Sequence, residues 1–375
     1  MINVILDIPL LSWWPFGTVL GALGLLGLAA AALWIRWAVV RGVTALVGVG
    51  FLVISAAVGV NAHFAYFPTV GEALGGPAPD EGSLAGAGTD GAPPSTGQVV
   101  SLDIPGTRSG FVARPAQVYV PPAWFRHPRP ALPVVLLLHG TPGAPTDWTD
   151  GGDAQLTADT WAAQHGGTAP VLVMPDINGS YLGDSECVDS PLGAVETYLT
   201  VDVPAAVEQN LGTRPPGAGW AVAGLSEGGT CAIMLALRHP DMFSAFGDFS
   251  GLVGPRIGET NADTADTVTE LFGGSQQQFE AHEPASLLAA RRYPGLGGWF
   301  QVGADDSEPL AAAQQLAPLA RSAGTATCLV VMPDLGHTFD VWSAAFRDSL
   351  PWLAARLGLV PADPTQTSFC QAIPG

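Results

Sequence analysis

Ser226 stands in Gly224-Leu225-Ser226-Glu227-Gly228, the G-x-S-x-G spacing that places a nucleophilic serine on a tight strand-to-helix turn. Its setting matters more than the short pattern itself. Trp220 to Ala223 before it reads as a strand, and Gly229 to Leu237 after it reads as a helix. A serine on such a turn needs neighbours without side chains, because two backbones pass closely there. The following helix start then aims free N–H groups and the positive end of its dipole at an oxyanion. That is acyl-transfer chemistry, and a hydroxyl becomes a nucleophile only beside a base. Candidates for acid and base follow in that order. Asp305 and Asp306 come after the run Trp299 to Val302, and His337 comes after Cys328 to Val331. His337 is expected to take the Ser226 proton and return it to the leaving group, with a carboxylate fixing the imidazole tautomer. Asp306 is the preferred carboxylate and Asp305 the alternative. His139 also ends a strand, but it precedes the nucleophile and belongs to the oxyanion side. The oxyanion hole is expected from the backbone N–H of Glu227 and that of Thr141, in His139-Gly140-Thr141-Pro142-Gly143.

Other chemistries find less support. Asp184, Glu186 and Asp189 surround Cys187, but their spacing fits no calcium loop and reads as a solvated turn. No Walker, Rossmann or HExxH pattern stands in a supporting context, so neither a metal nor a cofactor is expected. The formal net charge of -19, with all 14 basic residues arginine, argues against nucleic acid as a partner.

The elements that would position these residues alternate along the chain. Val99–Ile104, Ala116–Val120, Leu132–Leu138, Val171–Met174, Trp220–Ala223, Ala245–Phe249, Trp299–Val302 and Cys328–Val331 read as strands. Continuous apolar runs of this length suit a parallel sheet covered on both faces. Helical patterns fall at 229–237, 309–323 and 341–357. The expected fold is an open, mostly parallel α/β sheet with helices on both faces, the α/β-hydrolase architecture, in which chemistry gathers beyond the carboxyl ends of the strands.

Ahead of this domain the composition is different. Residues 15–34 and 43–62 are uncharged apolar stretches, each long enough to cross a bilayer, so residues 1–62 read as a transmembrane hairpin. Arg36 and Arg41 lie between them, and no other basic residue precedes Arg108. The positive-inside rule puts that loop in the cytoplasm and the remainder outside. Residues 63–97 read as a Gly/Pro/Ala-rich linker, 98–360 as the catalytic domain and 361–375 as a tail. Outside the cell, the four cysteines are expected as disulfides. The expected pairs are Cys187 with Cys231, tethering a cap segment to the nucleophile helix, and Cys328 with Cys370, holding the tail. Four cysteines permit three pairings.

From Gln98 to Leu359 the chain resembles the branch of the α/β-hydrolases that holds esterase D relatives and the mycolyltransferases of mycobacteria and corynebacteria. The likeness rests on Leu138-His139-Gly140-Thr141 with Trp148, on Glu196-Thr197-Tyr198-Leu199, on Gly224-Leu225-Ser226, and on His337-Thr338-Phe339-Asp340-Val341-Trp342. The resemblance implies a Ser-His-carboxylate triad at Ser226, His337 and Asp306. It also implies serine-esterase activity, and together with the expected anchor and its orientation this gives a membrane-anchored, extracytoplasmic serine esterase acting on an ester-containing lipid or acylated sugar of the envelope. An acyltransferase moving the chain to a sugar hydroxyl shares the same intermediate, and a non-catalytic envelope binding protein shares the same scaffold.

Overall fold

Eight short runs of mostly apolar, often β-branched residues become the eight strands of one sheet in the chain's computed structural model. The structure describes residues 14–64, 66, 93–258, 260–262, 264–368 and 370–371. The strands are β1 (Gln98–Leu102), β2 (Ala116–Val120), β3 (Val134–Leu138), β4 (Val171–Met174), β5 (Gly217–Leu225), β6 (Phe243–Phe249), β7 (Gly297–Gly303) and β8 (Ala326–Met332). Their spatial order is β1-β2-β4-β3-β5-β6-β7-β8. The first two strands run antiparallel to their neighbours, and every pair from β4 to β8 is parallel. β3 and β4 are buried along their whole length, as central strands covered on both faces must be.

The strand boundaries lie within two or three residues of the sequence expectation. Glu227–Arg238, Ser307–Ser322 and Phe339–Arg356 likewise form helices where the apolar spacing places them. Helix Ala154–Gln164 and the helical run from Val195 to Leu211 add to the reading. That run contains a π turn at Tyr198–Asp202 just before Pro204. Proline has no N–H to give the carbonyl four residues back, and a wider turn accommodates the missing bond.

The N-terminal residues form a separate unit with two helices, Trp14–Leu33 and Ala38–Phe64. The second is long and apolar enough to cross a membrane over Ala38–Ala62, and the first is apolar over Gly17–Leu33. The second helix starts five residues before the expected span, so Arg41 lies in its first turn and only Arg36 is left in the connection. Arginine is a good helix former whose long stem can carry its charge outward. Glycines let the two helices approach closely: a Cβ on Gly24 would lie 2.7 Å from the Gly48 carbonyl oxygen. Ser55 Oγ donates to the Gly17 carbonyl at 2.6 Å. Most of the expected linker, residues 67–92, and the last four residues of the tail lie outside the described residues.

Candidate active site

Ser226 sits between β5 and the helix Glu227–Arg238 with φ 54° and ψ −123°, a left-handed conformation that L residues rarely adopt. Its N–H is held by the Phe249 carbonyl at 2.9 Å. The flanking glycines are obligatory for steric reasons. A Cβ on Gly224 would fall 2.1 Å from the Gly228 carbonyl oxygen, and one on Gly228 would fall 2.3 Å from that of Leu138. Strand, turn and helix can therefore close on one another only with these residues.

His337 Nε2 lies 2.8 Å from Ser226 Oγ, and its Nδ1 lies 2.7 Å from Asp306 Oδ2. The three side chains come from the ends of β5, β7 and β8, and Asp306 also begins the helix Ser307–Ser322. Asp306 is buried, whereas Asp305 is exposed and only its backbone N–H is engaged, by the Leu335 carbonyl at 2.9 Å. The structure thus brings Asp306 to the histidine and turns Asp305 away. Trp342 packs its ring edge-on to His337, with centroids 4.9 Å apart.

His139 is fully buried and does not reach Ser226. Its Nδ1 meets the Gly140 carbonyl at 2.8 Å, and its Nε2 faces Asp176 and the N–H of Ile177, each at 3.2 Å. Burial works against a charge on Asp176, but hydrogen bonds from His139 and Arg114 outweigh it and hold the carboxyl well below the usual range. Arg114 Nη2 meets Asp176 at 2.6 Å, and Nη1 donates to the Gly143 carbonyl at 3.0 Å. This network stiffens the loop that carries Thr141.

Thr141 and Glu227 are joined through their side chains. Thr141 Oγ1 makes a short contact with Glu227 Oε2 and lies 2.7 Å from the Gly183 carbonyl. Asn178 Nδ2 lies 2.7 Å from both Thr141 Oγ1 and Glu227 Oε2. As the first residue of its helix, Glu227 has a backbone N–H without an intrahelical acceptor. Burial, then the charge of Asp184, pushes the Glu227 carboxyl up to about 7. Asn178 and Gly183 went unnoticed in the sequence. Their signal was available: Pro175-Asp176-Ile177-Asn178-Gly179 is a turn-rich segment at the carboxyl end of β4.

The acidic residues around Cys187 are not the solvated turn expected from their spacing. Glu186 is buried against Glu227 and Asp184, because Cys187 is bonded to Cys231 and draws this segment onto the nucleophile helix. Asp189 departs from the group and accepts from Thr197 N and Oγ1 at 2.9 and 2.6 Å. Cys328 is bonded to Cys370.

Residues 113–353 match the family model described as Putative esterase. An uncharacterized protein of Corynebacterium glutamicum is 37% identical over 70% of this chain, which covers 63% of that relative's length. A diacylglycerol acyltransferase/mycolyltransferase, Ag85A of Mycobacterium leprae, is 26% identical over 61% of this chain and 77% of its own. Among solved structures, a ferulic acid esterase superposes with a TM-score of 0.60 at 21% identity, over 70% of this chain and 98% of its own, and so shares the fold. With the family model covering most of the sheet and every residue of the Ser226, His337 and Asp306 relay, the chain belongs to the esterase family of the α/β-hydrolases.

Proposed function

We propose that this chain is a serine esterase that cleaves a carboxylic ester through an acyl-enzyme on Ser226. The observation that carries the reading is the unbroken relay from Ser226 Oγ through His337 to Asp306, with both contacts at hydrogen-bond distance. A carboxylate at Nδ1 makes that nitrogen the N–H donor and leaves the Nε2 lone pair facing the serine hydroxyl. His337 takes the hydroxyl proton as Ser226 Oγ bonds to the ester carbonyl carbon. It then gives that proton to the departing alcohol oxygen. The backbone N–H groups of Glu227 and Thr141 receive the oxyanion. Water, deprotonated by the same imidazole, releases the acid.

The substrate we infer is an ester of the cell envelope, a lipid or an acylated sugar, reached from outside the membrane. Tyr181 and Leu182 are exposed beside Gly183, whose carbonyl faces Thr141, and offer an apolar surface to an acyl chain. The apolar N-terminal helices, the Arg36 connection and two disulfides favour an extracytoplasmic domain on a membrane anchor. The kinship with a mycolyltransferase favours a second reading, in which a sugar hydroxyl replaces water as acceptor. A fluorophosphonate probe should label the purified chain, and Ser226→Ala should abolish the labelling. An unlabelled, folded wild type would leave only a binding role. Products formed from a long-chain ester with and without a sugar acceptor distinguish the two readings.

A further inference from the structure

Three carboxyl groups converge beside the nucleophile, on two segments that the Cys187–Cys231 bridge ties together. One oxygen from each of Asp184, Glu186 and Glu227 lies within 4.8 Å of the others. Glu186 is 3% exposed and Glu227 7%. Three other buried carboxylates are matched by bases, Asp176 by Arg114, Glu196 by Arg238 and His239, and Asp306 by His337, whereas Asp248 stands alone on its strand. Among the described residues, no basic side chain lies within ion-pair distance of Glu186 or Glu227. The Glu227 carboxyl meets Asn178, Thr141 and the Glu186 N–H. Glu186 Oε2 is different, being buried with no hydrogen-bond partner among the described residues. An orphaned carboxylate oxygen in such a place calls for something outside the chain to satisfy it.

We propose that Asp184, Glu186 and Glu227 form a binding site for a divalent cation of the calcium class. Calcium takes carboxylate oxygens at about 2.4 Å, so two ligands on opposite sides of it stand about 4.8 Å apart. The separation of the three oxygens therefore fits a single coordination shell. The donor set is all oxygen, because Cys187 is bonded to Cys231 and no histidine joins the group, which disfavours zinc. Magnesium demands a regular octahedron at shorter distances, and a set gathered from a loop and a helix start suits the more permissive ion. Protons are the competitor: burial and mutual repulsion raise the carboxyls of Glu186 and Glu227, and a cation would displace those protons.

The site has a consequence for catalysis that rests on the proposed esterase reading, although the binding itself does not. Glu227 would offer its N–H to the oxyanion while its own carboxylate stands in the same residue. A negative charge so close opposes formation of a second one, and a bound cation cancels it.

The test uses the full chain in detergent, stripped with EDTA and titrated with calcium chloride at pH 8. Calorimetry should report one cation per chain, and the melting temperature should rise by about 2–8 °C once calcium exceeds its Kd about 100-fold. Glu186→Gln should remove both responses without lowering the melting temperature of the stripped protein, since it keeps the shape of a buried group whose Oε2 has no partner and removes its ability to ionise. Asp184→Asn, at a half-exposed position, should weaken binding about 10-fold or more and gives a second variant if the first does not fold. No heat and no thermal shift at millimolar calcium, or an undiminished response in Glu186→Gln, would overturn the site. A stronger response to magnesium would overturn the choice of ion. Repeating the titration with Ser226→Ala separates the two readings, because that variant removes the chemistry and leaves the three carboxyls in place.

Discussion

At the scale of single residues, the partners of His337 decide which carboxylate matters. Asp305 and Asp306 are adjacent in sequence, but the chain leaves β7 so that only Asp306 points at Nδ1, while Asp305 faces solvent. Asp306→Ala should therefore lower kcat/KM for a p-nitrophenyl ester by roughly 10³–10⁴-fold, as expected when the tautomer-fixing carboxylate is lost. Asp305→Ala should stay within about 3-fold of wild type, as surface changes away from a site generally do. The reverse order in the two purified variants would reassign the acid. Sequence placed both aspartates at the strand end and preferred Asp306, but what separates them physically is the backbone direction in one turn, which the pattern does not carry. It found Ser226 and His337, although they lie 111 residues apart, because each stands in a short pattern at a strand end that can be read by itself, and missed Asn178, which stands in none. Its side chain acts by joining Thr141, Glu227 and the Ser185 N–H, the first two of which lie 37 and 49 positions away in the chain.

At the scale of elements, the strands were legible because burial on both faces leaves an uninterrupted apolar run, and the three long helices because one face must be apolar. The segment between β4 and β5 was less legible. Its form depends on the Cys187–Cys231 bridge, on a π turn and on buried acids, none of which leaves a periodic mark. The bridge spans 44 residues, and removing it by Cys187→Ala with Cys231→Ala should cost about 4 kcal/mol of stability by the chain-entropy estimate. Urea unfolding with unchanged m-value would measure it, and a loss below about 1 kcal/mol would mean that packing alone holds the segment. Asp248, on β6 behind the nucleophile helix, adds a pH dependence. Burial pushes its carboxyl up to about 7, with only the Gly251 N–H at 2.8 Å to favour the charged form, and its Oδ2 is buried without a partner. Its protonated form is thus preferred by the fold over the unfolded chain. The stability this confers is complete below the ordinary carboxyl range and is lost as pH rises towards about 7. Asp248→Asn should flatten the fall in melting temperature between pH 4 and pH 7 and raise the value at pH 8. An unchanged slope would show that the group ionises freely in the fold.

At the scale of the whole molecule, the question is which side of a membrane the relay faces. The apolar helices are separated by a four-residue connection, Trp34 to Trp37, that carries Arg36, and Arg41 follows in the first turn of the second helix. No arginine or lysine then occurs before Arg108, so the positive charge near the membrane is confined to the connection and the first turn after it. On the proposed two-span reading, basic residues close to a span are retained on the cytoplasmic side, so the start of the first helix and everything after the second are expected outside. The two disulfides agree with that side, since reducing cytoplasm would not keep them. A cysteine introduced at Gly86 should accordingly react with a membrane-impermeant maleimide on intact cells stripped of their outer layers, in a background where the four native cysteines remain oxidised. One introduced at Ile35, in the connection, should react only after the membrane is permeabilised. Labelling at Ile35 with protection at Gly86 would invert the orientation and place the hydrolase domain in the cytoplasm. Labelling at both without permeabilisation would mean that Ala38–Ala62 does not cross, since a crossing between Ile35 and Gly86 must put them on opposite sides.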